Sequence, residues 1–410
     1  MKKILLLLSS GLLIQSSFGQ TSGSLYRTSD SLYKAKDYKN AAIAYAAGIR
    51  KEEKAPVINR YWAVASRWAL AGEADSAFYD LNIISQSGQV GKTQARGIEN
   101  DTDFAFIKND PRWSAAIIKI QKQAEKNAYP QEEFIYGRKD GMGLTLVLIK
   151  PKVKPNGKAI ISVVSGDWVS NYNGIEIPTF RSEQFLAKGY TLFAVMHGSQ
   201  PRYAIPDEVN DLRRAVRYIR YNAAKFRIDP DHIGITGASS GGHLSLMVAT
   251  ADDKINASAI DPVDRVSSRV QAVAVLFPPT DLLNWGGPGL NMANAKELLK
   301  ISRVWGALDF KTWNEKYALY EEVADTSARN KIATAISPLY AVSADDPPVF
   351  ILHGDADPVV PLQQSQSIIV KFKEAGVINN LIIKKGGKHN GDDMNPDWQG
   401  FVDWFDKYLK

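Results

Sequence analysis

The segment Gly237-Ala238-Ser239-Ser240-Gly241-Gly242-His243 sets a serine between two glycines, each two residues away. A serine hydroxyl becomes a nucleophile toward an acyl carbon when a neighbouring base takes its proton. The glycines fit that chemistry. A sharp strand-to-helix turn that presents the hydroxyl leaves no room for side chains at the flanking positions. Ser240 is the competing hydroxyl, but only Ser239 has both glycines at the right distance. The reaction also needs an imidazole, a carboxylate to orient it, and N–H groups aimed at the oxyanion. The imidazole must come from five histidines: His197, His232, His243, His353 and His389.

Elements must bring such residues together, and the chain has two rhythms. From Ser24 to Asn127 the pattern is helical. Ala35 to Tyr45 is echoed by Ala71 to Leu81 at an offset of 36 residues, with Ala41, Ala42 and Tyr45 answered by Ala77, Phe78 and Leu81. Small and aromatic residues recurring at that period indicate stacked helix pairs, and the region loosely resembles tetratricopeptide repeats. Two copies and a capping segment from Phe106 to Ile120 make a minimal stack. Pro111-Arg112-Trp113 reads as a helix start with Asp110 as its N-cap. Nothing here carries chemistry; a groove for a protein partner and a structural appendage both remain open.

After Tyr129-Pro130 the rhythm becomes strand, helix, strand. Strands are expected at Leu144–Ile149, Ala159–Val164, Tyr190–Val195, His232–Thr236, Val270–Leu276, Val349–Leu352 and Asn380–Ile383. Several are apolar on both faces, as buried strands should be. Helices are expected at Asp207–Phe226, Gly241–Thr250, Leu362–Glu374 and Asp397–Leu409. This alternation predicts an α/β domain over residues 130–410, with a mostly parallel sheet between helices. Residues 284–335, with Trp285, Trp305 and Trp313, read as a helical insertion over the carboxyl edge of the sheet.

In the α/β-hydrolase fold the nucleophile, acid and histidine follow in that order along the chain. His353 and His389 lie well beyond Ser239. His353 ends a strand and suits a structural role, whereas His389 sits in the loop Gly386-Gly387-Lys388-His389 after the last strand. Asp355 and Asp357 compete as the acid. Here the chain resembles secreted α/β-hydrolase esterases, whose H-G-x-x-D-x-x-V-P loop matches His353 to Pro361. The resemblance implies Asp357 as the acid and Asp355 as a turn residue. It covers Glu132 to Lys410 and is nearest to the bifunctional deacetylase/feruloyl-esterase-like carbohydrate esterases. Those enzymes remove acetyl or hydroxycinnamoyl groups from plant polysaccharides. Their oxyanion loop, usually His-Gly-Gly with an aromatic following, corresponds to Ser165-Gly166-Asp167-Trp168. It implies backbone donors at Gly166, Asp167 and Ser240 and a substrate contact at Trp168. Asp167 stands where the family has glycine, placing a carboxylate near a developing negative charge.

Composition narrows the rest. Apolar residues at 45% and charged residues at 23% suit a globular protein. Cysteine is absent, which excludes disulfides, thiolate metal sites and a cysteine nucleophile. The net charge of +6 has no dense basic run, so nucleic acid is not expected as a partner. Lys2 and Lys3, the apolar runs Ile4 to Leu8 and Gly11 to Ile14, and small residues at Ser17 and Gly19 read as a signal peptide over residues 1–19. Export to the periplasm or medium is expected, with no membrane span. Asp392, Asp393 and Asp397 read as a solvated face rather than a cation site. The leading expectation is a serine carboxylic-ester hydrolase needing no cofactor. A prolyl-oligopeptidase-like peptidase and a non-catalytic binding protein using the repeats are the rivals.

Overall fold

The structure, a computed structural model, describes residues 21–52, 57–172, 183–251, 255–391, 393–394 and 398–410. The expected signal peptide, Asp392 and Asp397 lie outside the described residues. The chain divides into two compact units, Met1–Ala128 and Tyr129–Lys410.

The first unit is helical: α1 (Ser22–Lys34), α2 (Tyr38–Arg50), α3 (Ile58–Leu70), α4 (Ala74–Gln86), α5 (Lys92–Asn100) and α6 (Arg112–Asn127). The 36-residue offset is the spacing from α1 to α3 and from α2 to α4, so the echo in sequence is a repeated helical hairpin. Ala41 and Ala77 occupy matching positions and are fully buried. Side chains that small let neighbouring helices approach closely. Ser29 Oγ donates to the Ala41 carbonyl at 2.8 Å, and Arg67 Nε donates to Ser29 Oγ at 3.0 Å, which links the two hairpins. At the start of α6 the N-cap is Pro111 rather than the expected Asp110, whose Oδ1 instead accepts the Arg112 N–H at 2.9 Å from one residue before the cap.

The second unit is built on an eight-stranded sheet. Its strands are β1 (Gln131–Lys139), β2 (Met142–Ile149), β3 (Ala159–Val163), β4 (Thr191–Val195), β5 (Ile233–Ala238), β6 (Ala272–Leu276), β9 (Val349–Gly354) and β10 (Asn379–Lys384). A separate antiparallel hairpin of β7 (Lys311–Asn314) and β8 (Leu319–Glu322) lies between β6 and β9 in sequence. The sheet order is β1-β2-β4-β3-β5-β6-β9-β10, antiparallel at β1–β2 and β2–β4 and parallel elsewhere. This is the α/β-hydrolase fold. Along β3, Ile161 and Val163 join a core with Leu244 and Met247, while Ile160 joins another with Phe401 and Phe405. Period-two alternation with apolar residues on both faces thus covers the sheet on two sides. The helices that matter below are α7 (Ile205–Tyr221), α8 (Ser240–Thr250), α9 (Gln363–Glu374) and α10 (Trp398–Tyr408).

All seven expected strands are present. β1 was not expected, because it is an edge strand whose residues are mostly exposed, with Tyr136 alone fully buried. The insertion also differs from its helical reading. It contains the β7–β8 hairpin, where Trp313 stands opposite Tyr320 with ring centroids 5.1 Å apart. Cross-strand aromatic pairs stabilise short strands that carry no apolar run.

Candidate active site

Ser239 follows β5 and caps α8 with φ +54° and ψ −124°, a conformation that costs a non-glycine residue energy and persists only when its surroundings enforce it. The flanking glycines provide that setting. A Cβ on Gly237 would lie 2.4 Å from Gly241 backbone atoms, and one on Gly241 would lie 2.9 Å from the Val163 carbonyl. Ser239 N–H donates to the Leu276 carbonyl at 3.0 Å, and its own carbonyl accepts the His243 N–H at 2.9 Å, so the turn is fixed on both sides.

The base and acid come from the loops after β10 and β9. Two glycines bring these loops together: a Cβ on Gly354 would sit 2.0 Å from the Gly387 carbonyl oxygen. His389 Nε2 lies 2.9 Å from Ser239 Oγ, and its Nδ1 lies 2.7 Å from Asp357 Oδ2. A carboxylate can only accept, so Nδ1 carries the proton and Nε2 is left to accept from the serine. The other carboxylate oxygen, Oδ1, accepts the Val359 and Val360 N–H groups at 2.8 and 2.9 Å. Burial pushes the Asp357 carboxyl upward, but bonds from His353, His389 and these two N–H groups outweigh it and hold the group well below the usual range. Asp355 is more than a turn residue. Its Oδ1 accepts the Gly386 N–H at 2.5 Å, which ties the acid loop to the histidine loop.

His353 is fully buried in the role expected of it. Its Nε2–H donates to the Val360 carbonyl at 2.9 Å and lies 3.5 Å from Asp357 Oδ2, while its Nδ1 accepts from Ser365 Oγ on α9 at 2.7 Å. It therefore braces the loop that holds the acid.

The oxyanion loop differs in two respects from the expectation. Asp167 and Trp168 both adopt left-handed backbone, φ +53° and +57°, closing a tight turn between Gly166 and Val169. Within this turn Gly166 N–H donates to the Val169 carbonyl at 3.0 Å, so Gly166 is not an oxyanion donor. The N–H of Asp167, and that of Ser240 in the first turn of α8, remain as the candidate donors. Trp168, expected at the substrate, is buried in the core instead. Its indole N–H donates to His243 Nδ1 at 3.1 Å, and His243 Nε2–H donates to the Ile336 carbonyl at 2.7 Å. Burial lowers His243 to about 4, so it stays neutral and able to accept that indole bond. Ser165 Oγ lies 3.0 Å from Ser240 Oγ, a second tie between loop and elbow. Gln200 Nε2 donates to the Asp167 carbonyl at 2.6 Å and to the Arg303 carbonyl at 3.1 Å. His243 and Gln200 were not singled out from the sequence, since their bonds link residues 75 and 33 positions apart. The Asp167 residue itself is exposed.

Behind this loop, after β4, lies a buried ionisable group of a different kind. Glu208 on α7 is fully buried, and neither carboxylate oxygen has a hydrogen-bond partner among the described residues. His197 Nδ1 is 2.7 Å from the Gly198 carbonyl and 3.6 Å from Glu208 Oε2. Burial and then the charge of Asp211 push the Glu208 carboxyl well above its usual range, and burial lowers His197 to about 4. Both shifts favour the uncharged form. A cavity of about 290 Å³ opens beside His197, between Thr145, Met196 and Tyr203, and the triad residues do not line it. Among the described residues, no cluster of His, Cys, Asp or Glu could hold a metal ion, and no helix is long and apolar enough to cross a membrane.

Known proteins resemble this arrangement. Esterase LipQ of Mycobacterium tuberculosis is 27% identical over 248 residues, 60% of this chain and 53% of its own length. An acetylxylan esterase of Xylanibacter ruminicola is 29% identical over 282 residues, 68% of this chain and 48% of its own. The chain thus spans about half the length of these two relatives. Among solved structures, a truncated carbohydrate esterase from gut microbiota is 25% identical with a TM-score of 0.54, covering 69% of this chain and 97% of that one. Esterase 2 of Thermogutta terrifontis is 25% identical with a TM-score of 0.51, covering 68% and 91%. The profile of the BD-FAE family matches residues 146–372, more than half of the chain and the stretch that holds the elbow and the acid loop, and the chain belongs to that family.

Proposed function

We propose that this chain is a serine carboxylic-ester hydrolase that removes acetyl or aromatic acyl groups from carbohydrate esters through an acyl-enzyme on Ser239. The observation that carries this reading is the unbroken hydrogen-bond chain from Ser239 to His389 to Asp357 on a strained elbow residue. Ser239 Oγ bonds to the acyl carbon as its proton passes to His389 Nε2, and the carbonyl π electrons move onto oxygen. The N–H groups of Asp167 and Ser240 stabilise that oxyanion. When the carbon–oxygen bond to the alcohol breaks, His389 returns the proton to the leaving oxygen. Water then repeats the sequence, giving up a proton to His389 and freeing the carboxylic acid and Ser239.

The carbohydrate part is supported by the relatives named for acetylxylan and carbohydrate esters. A fluorophosphonate probe followed by peptide mapping should place one adduct on Ser239. A panel of acetyl, feruloyl and longer acyl esters, on sugars and on simple alcohols, should favour the short or aromatic acyl sugars. Absence of both labelling and hydrolysis would refute the reading. Export belongs to the same proposal and rests on the pattern of Lys2 to Gly19. Protein recovered outside the cytoplasm should begin at Gln20. Deleting the helical hairpins should leave hydrolysis of small esters largely intact, because Ser239, Asp357 and His389 all lie in the second unit.

A further inference from the structure

The residue after β6, Phe277, is a bulky aromatic with φ +33°, in a backbone region such side chains seldom enter. Its N–H donates to the Leu352 carbonyl at 2.9 Å, so the strand ladder continues up to the residue where the chain turns. Strain held in place by regular structure beside a reactive group points to a use for the side chain. Phe277 is buried, its ring centroid is 4.2 Å from that of His389 with the planes tilted by 47°, and it lies 6.3 Å from His353. The base is thus held by Asp357 at its Nδ1 edge and by an aromatic ring against its face. An aromatic face carries the negative part of the ring quadrupole and attracts a cation within about 6 Å.

We infer that Phe277 is a positioning residue that steadies His389 and selectively stabilises the imidazolium formed when it takes the Ser239 proton. The inference rests on the hydrolase reading above, and it assigns the strained turn after β6 to catalysis rather than to packing. A neutral imidazole gains little from the ring's charge distribution, whereas the imidazolium gains in both tetrahedral intermediates. Its effect therefore falls on the chemical steps and not on substrate binding.

Three forms of the full-length protein test this: Phe277→Leu, Phe277→Tyr, and a protein carrying pentafluorophenylalanine at position 277, which keeps the shape but reverses the quadrupole. For a small acetyl ester, Leu and the fluorinated ring should each lower kcat by about 3- to 30-fold with KM unchanged. The rate of fluorophosphonate labelling should fall by the same factor, and Tyr should restore both rates. A fluorinated protein with full kcat would show that the ring acts only by filling space and would overturn the inference, as would a folded Leu variant with full kcat. If the Leu variant shows no cooperative melt, the fluorinated protein decides alone. An unsubstituted protein that neither labels nor turns over esters overturns the hydrolase reading and this inference together; an active one whose variants match it overturns this inference alone.

Discussion

On the β9–β10 side of Ser239, the inaccessible carboxylate of Asp357 accepts from His389, Val359 and Val360, with His353 close by, and is held strongly acidic. On the β4 side Glu208 is equally inaccessible, yet its oxygens have no partner among the described residues and its carboxyl is pushed well above its usual range. Burial raises both groups. What separates them is the number of donors within reach, so burial alone does not set the charge of a carboxyl group. The carboxylate beside His389 has its donors in place, and the one beside His197 does not.

The largest effect should come from breaking the β9–β10 side at its reacting atoms. Ser239→Ala and His389→Ala should each lower kcat by roughly 10⁶-fold, and the double variant should be little worse, because the residues act as a unit. Additive losses in steady-state kinetics would show that they act separately. Asp357→Asn should lower kcat by about 10⁴-fold, since an amide no longer fixes the tautomer of His389. The same change should alter acid stability. Because the folded-state carboxyl is depressed, its contribution is present above about pH 4 and is lost as pH falls towards its folded value. Acid titration monitored by circular dichroism should therefore be shallower for Asp357→Asn than for the natural protein.

Weaker effects sharpen the comparison. His353→Ala should lower stability by about 3 kcal/mol, because it leaves a cavity and removes a brace from the acid loop. Its kcat on small esters should fall by only about tenfold; a larger kinetic loss with an unchanged melt would make His353 a partner in the chemistry. On the oxyanion side, Asp167 is exposed with left-handed backbone that glycine adopts without strain. A carboxylate about 4 Å from the oxyanion would cost on the order of 4 kcal/mol, enough to cancel one donor. With the side chain directed to solvent, Asp167→Gly should leave small-ester kcat within about twofold and raise KM for a sugar ester. A general rise in turnover would show that the carboxylate faces the oxyanion. Last, Glu208→Gln should raise Tm by about 2–4 °C at pH 9 and have little effect at pH 5. The raised folded-state carboxyl makes natural stability fall as pH climbs above the unfolded value near 4.3, and the amide removes that slope. Equal Tm values at pH 9 would mean that Glu208 has found a partner.

The same contrast explains what could be read in advance. Ser239 and His389 stood out because acyl transfer restricts which side chains can serve, and chain order then restricts which copies; Asp357 was told from Asp355 only by the resemblance to the esterase loop. Seven of the eight strands stood out as short apolar runs, and the inner parallel ones are apolar on both faces, as in Ala159–Val163. The oxyanion loop was harder because its donors are backbone N–H groups, common to nearly every residue type. Its shape depends on Asp167 and Trp168 both turning left-handed, and no residue type dictates that. Trp168 was misplaced because an aromatic after such a glycine suits a substrate surface as well as a core, and its partner His243 is 75 residues away. β1 and the β7–β8 hairpin lack apolar runs, so their pairing rests on neighbours rather than on their own pattern.

Ser239 and His389 lie 150 residues apart. At about 5–20 residues per second, the ribosome completes the nucleophile roughly 8–30 s before its base. His389 follows β10, a strand at one edge of the sheet that pairs with β9, so its imidazole is made only after that last strand. Until then the Ser239 hydroxyl lacks the ring that stands 2.9 Å from it in the full chain. If Ser239 is the nucleophile, a product truncated before β10 would keep the elbow but lack the imidazole that bonds to it.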